Sequence, residues 1–223
     1  MESAVVLLSG GIGSATAAYC RRGNAQLFPL YVNYGRASAT EERAAASAIA
    51  ENLGMVLQLL DLPHVLQISR SPDARHPNED ARPGPPNEVA GLATTILSVG
   101  AEYAASVGAH TLITGHSAAA QNVALHEVSR ERKVDVWAFR HAFAAMLEPA
   151  LPKVRAVKLD APLMDLEAGQ IVQLGRRAAV PFELTWSCHQ KTAPCGTCPG
   201  CTFRSAAFAG AGLPDPLAQP AAR

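Results

Sequence analysis

Ala4-Val5-Val6-Leu7-Leu8-Ser9-Gly10-Gly11-Ile12-Gly13-Ser14 is an unbroken apolar run that passes directly into a glycine turn. Five apolar residues bounded by Ser-Gly-Gly read as a strand buried on both faces. The alanine-rich stretch from Ser14 to Arg21 then reads as a helix. The rest of the chain repeats this alternation. Further strands are predicted over 27–32, 56–60, 110–114 and 154–159, and helices over 40–53, 88–107, 138–147 and 165–178. Thr40 is the expected N-cap of the second helix, with Glu41 and Glu42 in its first turn, where carboxylates suit the helix dipole. Strands and helices alternating at this spacing imply parallel strands joined by right-handed crossovers. The fold class is therefore α/β, with a five-stranded, parallel, doubly wound sheet. Residues 61–88 interrupt the pattern with six prolines and are read as a long surface loop. The expected organisation is an α/β domain over 1–185, a cysteine-bearing segment with a C-terminal helix over 186–210, and a flexible tail over 211–223.

With 223 residues, the chain suits one domain with a small appendage. Its formal net charge is zero and its pI is near 7.0, which argues against bulk electrostatic attraction to nucleic acid or membrane. No apolar run approaches the length of a membrane span, and the start of the chain lacks a basic signal-peptide region. A cytoplasmic protein is expected.

The glycine turn has two readings. In an open parallel sheet, ligands bind beyond the carboxyl ends of the strands. Glycines let the backbone approach an anion, and the N–H groups of the next helix hold a phosphate with help from the dipole. Ser9 and Ser14 add hydroxyls. The alternative is a tight strand-to-helix connection that binds nothing.

Four of the five cysteines, Cys188, Cys195, Cys198 and Cys201, fall within fourteen residues. In a reducing compartment such a cluster reads as metal ligands before disulfides. Four thiolates fill the coordination sphere of a closed, structural zinc site, and Gly196, Pro199 and Gly200 provide the turns that let them converge. An iron–sulfur cluster also takes four cysteines, and two unrelated redox pairs are the third reading. The histidines have no metal-ligand spacing. Cys20 is expected to pack in its helix as a small apolar residue.

Taken together, Ser9-Gly10-Gly11-x-x-Ser14 and Cys188-x6-Cys195-Gly196-x-Cys198-x2-Cys201 resemble the 7-cyano-7-deazaguanine synthase family of PP-loop enzymes. The resemblance extends to Asn33-Tyr34-Gly35, to Gly108-Ala109 followed by the strand ending at Gly115, and to Ala161-Pro162-Leu163-Met164-Asp165-Leu166. It runs on through Leu174-Gly175, Val180 to Cys188, Arg204 and Phe208. It implies an adenine-nucleotide fold in which Leu8, Ser9, Gly10, Gly11, Ile12, Gly13, Ser14, Ala15 and Thr16 bind ATP. Magnesium offsets the pyrophosphate charge, and a structural zinc is held by the four cysteines. The implied chemistry adenylates the carboxylate of 7-carboxy-7-deazaguanine. Ammonia then gives the amide, and a second ATP-driven activation gives the nitrile. The resemblance also implies a homodimer with small-molecule substrates and no direct nucleic-acid partner.

The departures are specific. Gly13 and Ala15 stand where the family has Asp and Thr. Gly115-His116-Ser117-Ala118-Ala119-Ala120 replaces Gly-Val-Asn-Ala-x-Asp, and Arg36-Ala37-Ser38 replaces Gln-Arg-His. Ala168 replaces a lysine. Three functions follow: the family's ligase reaction, activation of the same carboxylate with transfer to another amine, or nucleotide binding without turnover. No catalytic residue is assigned from the sequence, although Glu41, Glu42, Glu127 and Asp135 are candidates to replace the missing carboxylates.

Overall fold

The structure is a computed structural model that describes residues 2–63, 65, 92–120, 136–151, 156–190 and 193–218. Most of the expected 61–88 loop, the first residues of the expected 88–107 helix, and both Glu127 and Asp135 lie outside the described residues.

Five strands, β1 (Glu2–Leu7), β2 (Ala25–Asn33), β3 (Gln58–Asp61), β4 (Thr111–Ile113) and β5 (Lys158–Asp160), form one sheet in the order β3-β2-β1-β4-β5. Every pairing is parallel. The chain moves outward from β1 to β2 and β3, then returns to the other side of β1 for β4 and β5. The order reverses beside β1, and in such sheets ligands bind outside the carboxyl ends of the strands at this switch point. The helices are α1 (Ile12–Arg21), α2 (Ala39–Asn52), α3 (Leu92–Ser106), α4 (Val136–Ala150), α5 (Ala168–Arg177) and α6 (Pro199–Ala211).

The side-chain period of two sorts the central strand between two cores. Ala4, Val6 and Leu8 face one way, into a core closed by α1, α2, α5 and α6. Val5 and Leu7 face the other way, against Leu97, Ala101 and Ala104 of α3 and Phe143 and Leu147 of α4. Val5 and Val6 are 0% exposed, and each such burial contributes about 1.5–3 kcal/mol. Burial on both faces explains why β1 carries no polar alternation.

Helix α2 starts at Ala39, one residue before the expected capping threonine, so Ser38 occupies the cap position. The Ser38 hydroxyl does not cap the helix; it donates to Glu42 Oε1 at 2.8 Å. At the C-terminal side, buried Arg204 on α6 spans three pieces of chain. It donates to Thr185 Oγ1 at 2.7 Å and to the Phe182 carbonyl at 3.2 Å, and it makes an ion pair with Asp215 at 2.7 Å. The first part of the segment read as a tail, residues 211–218, is thereby tied back to the domain. Among the described residues, no helix is long and apolar enough to cross a membrane.

Candidate active site

A cleft of about 430 Å³ opens at the carboxyl ends of β1, β2 and β4. Its floor is the turn after β1. Gly11 is the N-cap of α1 and offers no side-chain cap, and the first turn of the helix carries no acidic residue. The first N–H groups of a helix have no partner within it, so this end of the cleft presents free donors and the positive end of the dipole to an anion. Ser14 Oγ shapes the turn from within. It accepts from Ser9 N at 3.2 Å and Ser9 Oγ at 3.1 Å, and donates to the Gly11 carbonyl at 3.1 Å.

Of the nine residues expected at the nucleotide, Leu8, Ser9, Gly11, Ile12, Gly13 and Ser14 line the cleft, while Gly10, Ala15 and Thr16 do not. Ala15 and Thr16 face inward because α1 packs on the sheet, and both are fully buried. Gly10 adopts a positive φ of 80°, and a Cβ there would stand 2.6 Å from the Glu42 carbonyl oxygen. Its glycine is needed for the approach of α2, not for that of a ligand. A Cβ on Gly11, by contrast, would have its nearest neighbour at 3.6 Å.

Gly13 is the second tight point. A Cβ there would lie 2.8 Å from the Gly115 carbonyl oxygen, and one on Gly115 would lie 2.4 Å from Ser14 N. The turns after β1 and β4 thus touch backbone to backbone. An aspartate restored at position 13 would need one of them to move. Ala120 lines the cleft, whereas Ala168 packs against the core at the start of α5. The departures from the resemblance therefore occupy different places: Gly13 and Ala120 are in the cleft, and Ala15 and Ala168 are not.

One side of the cleft is apolar, with Leu30, Tyr31 and Val32 from β2 and Ile96 from α3. Arg36, Glu42, His116 and His189 are the charged or titratable lining residues besides Tyr31 and Tyr34. Arg36 lies 5.1 Å from the Tyr34 ring centroid and 3.3 Å from Glu42 Oε1. Burial raises the Glu42 carboxyl above its ordinary pKa, opposed by the Arg36 charge and the Ser38 hydrogen bond. Burial likewise pushes Tyr34 up to about 12 and lowers His116. Sequence reasoning did not single out Arg36 or His116 as site residues. Their signal is positional, since each follows the carboxyl end of a strand flanking the crevice, β2 or β4.

The opposite wall is the cysteine segment. Trp186, Ser187, His189, Pro199, Gly200 and Phe203 line the cleft, and the Trp186 backbone N–H donates to the Gly10 carbonyl at 2.8 Å. The four predicted ligands converge, with the Sγ atoms of Cys188, Cys195, Cys198 and Cys201 all within 4.8 Å of one another. Sulfurs at about 2.3 Å from a single tetrahedral zinc stand about 3.8 Å apart, and Cys195 Sγ and Cys201 Sγ are 4.0 Å apart. Backbone N–H groups point at the sulfurs, from Gln190 and Cys195 to Cys188 and from Cys198 to Cys195, at 3.3–3.4 Å. N–H donors favour thiolates over thiols. The donor set fits one metal ion with no open position. Cys20 lies apart from the cluster, partly buried in α1.

The comparisons agree with this geometry. The family described as "Queuosine biosynthesis protein QueC" matches residues 3–212. A protein named 7-cyano-7-deazaguanine synthase from Methanothrix thermoacetophila is 34% identical over 227 residues, covering 97% of this chain and 98% of its own. One of the same name from Koribacter versatilis is 32% identical, covering 96% and 92%. Among solved structures, the U34-tRNA thiolase NcsA from Methanococcus maripaludis, which carries a [4Fe-4S] cluster, superposes with a TM-score of 0.52 at 18% identity. That match covers 92% of this chain and 62% of NcsA, and it speaks for the fold. A parallel sheet with its crevice beside β1, a glycine turn on the crevice floor and four converging thiols in its wall accompany a match over nearly the whole chain: the protein belongs to the QueC family, with a PP-loop fold.

Proposed function

We propose that the protein is an ATP-dependent C–N ligase of the 7-cyano-7-deazaguanine synthase type, acting on a deazapurine carboxylate with ammonia. The observation that carries this reading is the single cleft lined both by the turn after β1 and by the cysteine segment. The phosphates sit on the free N–H groups at the start of α1, beside Ser9 and Ser14. The apolar end of β2, with Leu30, Tyr31 and Val32, suits a purine-like ring. That arrangement brings the α-phosphate within reach of a carboxylate entering between Trp186 and the turn after β4. Attack of a carboxylate oxygen on the α-phosphorus breaks the bond to the β-phosphate and releases pyrophosphate, leaving an acyl adenylate from which AMP can depart where an oxide cannot.

The four cysteines hold one structural zinc in this reading. When bound, the ion cross-links the segment and supplies no open position for chemistry. Its thiolates fix Pro199 and Gly200 against the cleft, and the Trp186-to-Gly10 hydrogen bond ties that wall to the nucleotide turn. The described lining does not fit a protein-held magnesium ion, because its one Asp or Glu side chain, Glu42, is engaged by Arg36 and Ser38.

Purified protein incubated with magnesium-ATP, 7-carboxy-7-deazaguanine and ammonia should release AMP together with the amide or nitrile, read by mass spectrometry. ATP left intact with this carboxylate would contradict the reading, and AMP formed only with a different amine would move it to a different acceptor.

A further inference from the structure

His116 follows Gly115 in the turn that leaves β4, and its side chain borders two spaces. In front is the cleft. Behind is a small pocket walled mainly by apolar side chains, among them Leu97, Phe139, Leu159 and Met164, with Arg140 also on its edge. The His116 backbone N–H donates to Thr114 Oγ1 at 3.3 Å. Among the described residues, no hydrogen bond reaches its ring. Buried structural side chains ordinarily have a partner on at least one polar atom; among the described residues neither ring nitrogen of half-buried His116 has one.

The position is as informative as the missing partner. The glycine contact presses the turn after β4 onto the turn after β1, with Gly115 against Ser14 N and the Gly13 carbonyl carbon. His116 is one residue beyond that contact. His116 lines the same cleft as Gly11, Gly13 and Ser14 at the start of α1, so a phosphate held there, and an acyl group joined to it as a mixed anhydride, would share the cleft with this residue. Burial lowers the ring's pKa, which keeps it neutral and able to accept a proton at neutral pH. The other charged or titratable side chains facing the cleft are Arg36, Glu42, His189 and the two tyrosines, with Arg140 across the rear pocket.

We propose that His116 is a catalytic base that removes the proton shed by the amine as it attacks the activated acyl carbon. This rests on the carboxylate-activating function proposed above. In the step, the ammonia lone pair forms the C–N bond and one N–H proton passes to a ring nitrogen of His116. The C–O bond to the phosphate then breaks, with its electron pair leaving on AMP. The products are the amide and AMP, and the imidazolium returns its proton to solvent. The adenylation half-reaction needs no such base, because an ionised carboxylate is already the nucleophile.

That asymmetry supplies the test. His116→Gln and His116→Ala are compared with the parent in two assays: carboxylate-dependent exchange of pyrophosphate into ATP without ammonia, and single-turnover amide formation with ammonia. The expected result is exchange within about threefold of the parent, with amide formation slowed on the order of 10²-fold, the low end of general-base contributions. Added imidazole should restore part of the rate in His116→Ala. Two results would overturn the assignment: unchanged amide formation in both variants, or equal losses in exchange and amide formation without imidazole rescue, which mark a structural role. A parent enzyme that supports no exchange would instead overturn the carboxylate-activation reading, and the base with it.

Discussion

At the turn after β1, Gly10 and Gly13 sit where neighbouring backbone leaves no space for a side chain. At the cysteine turn, Gly196 also has a positive φ, of 74°, but nothing lies within 4 Å of where its Cβ would be. The first turn is shaped by close packing between α1, α2 and the turn after β4. At the second, exposed Cys195 and half-buried Cys198 converge with buried Cys188 and Cys201, their sulfurs all within 4.8 Å of one another. Two walls of one cleft are thus stabilised by different means, and they meet at a single hydrogen bond from Trp186 N to Gly10 O. A packed turn should answer to volume, and under the proposed metal site the thiol-lined turn should answer to metal.

The sharpest way to break this comparison is to add one methyl group to each side. Gly115→Ala forces a Cβ to within 2.4 Å of Ser14 N, where the opposing atom is backbone and cannot swing aside. Its unfolding free energy should fall by about 3 kcal/mol, the upper part of the overpacking range, and nucleotide binding should weaken with it. Gly196→Ala meets only the left-handed backbone cost of about 1–2 kcal/mol, with nucleotide binding close to that of the parent. Denaturant titration and calorimetry check both, and equal effects at the two glycines would contradict the distinction.

A smaller but more selective effect is expected at the sulfurs. One metal per chain should be found in protein purified under reducing conditions. Cys198→Ser should lower that content and reduce the melting temperature by roughly 4–8 °C, the shift that about 2 kcal/mol produces in a chain of this size. A chelator should lower the parent toward the same value and leave Cys198→Ser little changed. Because thiols must lose protons to bind metal, the parent's metal affinity should fall on acidification. Zinc in elemental analysis fits the closed single-ion site; an iron–sulfur absorption band would contradict it.

The smallest effect probes Glu42, which links the cleft to the start of α2. Its folded-state pKa is raised by burial. A carboxyl shifted in that direction contributes stability fully present below its unfolded value and lost as pH rises through the folded one. Between pH 4 and pH 7 the parent should therefore lose more stability than Glu42→Gln. A larger loss in the variant would show that Arg36 outweighs desolvation.

How much of this could be read from the chain alone follows the range of the interactions. The alternation of apolar runs and alanine-rich stretches specified the parallel sheet, because each strand's burial is written locally in its own residues. The four cysteines were equally legible, since thiols at short spacing have few alternative uses. What escaped is long-range. The contact between Gly13 and Gly115 joins positions far apart in the chain, and neither glycine announces its neighbour. The inward placement of Ala15 and Thr16 depends on how α1 lies on β1, which the loop motif does not state. Ser38 holds the cap position in place of Thr40 while its hydroxyl donates to Glu42 and caps nothing, a local exception that the capping pattern does not state. Arg204 and Asp215 find each other only once α6 has packed.

The central claim is that this cleft still activates a carboxylate by adenylation, although Gly13 and Ala120 replace carboxylates of the resembling family. The most direct test follows an oxygen atom. With 7-carboxy-7-deazaguanine labelled with oxygen-18 in its carboxylate, attack on the α-phosphorus and later cleavage of the acyl carbon–oxygen bond of the adenylate carry one labelled oxygen into AMP. The account predicts singly labelled AMP in step with amide formation, and AMP that is absent or carries no label would contradict it.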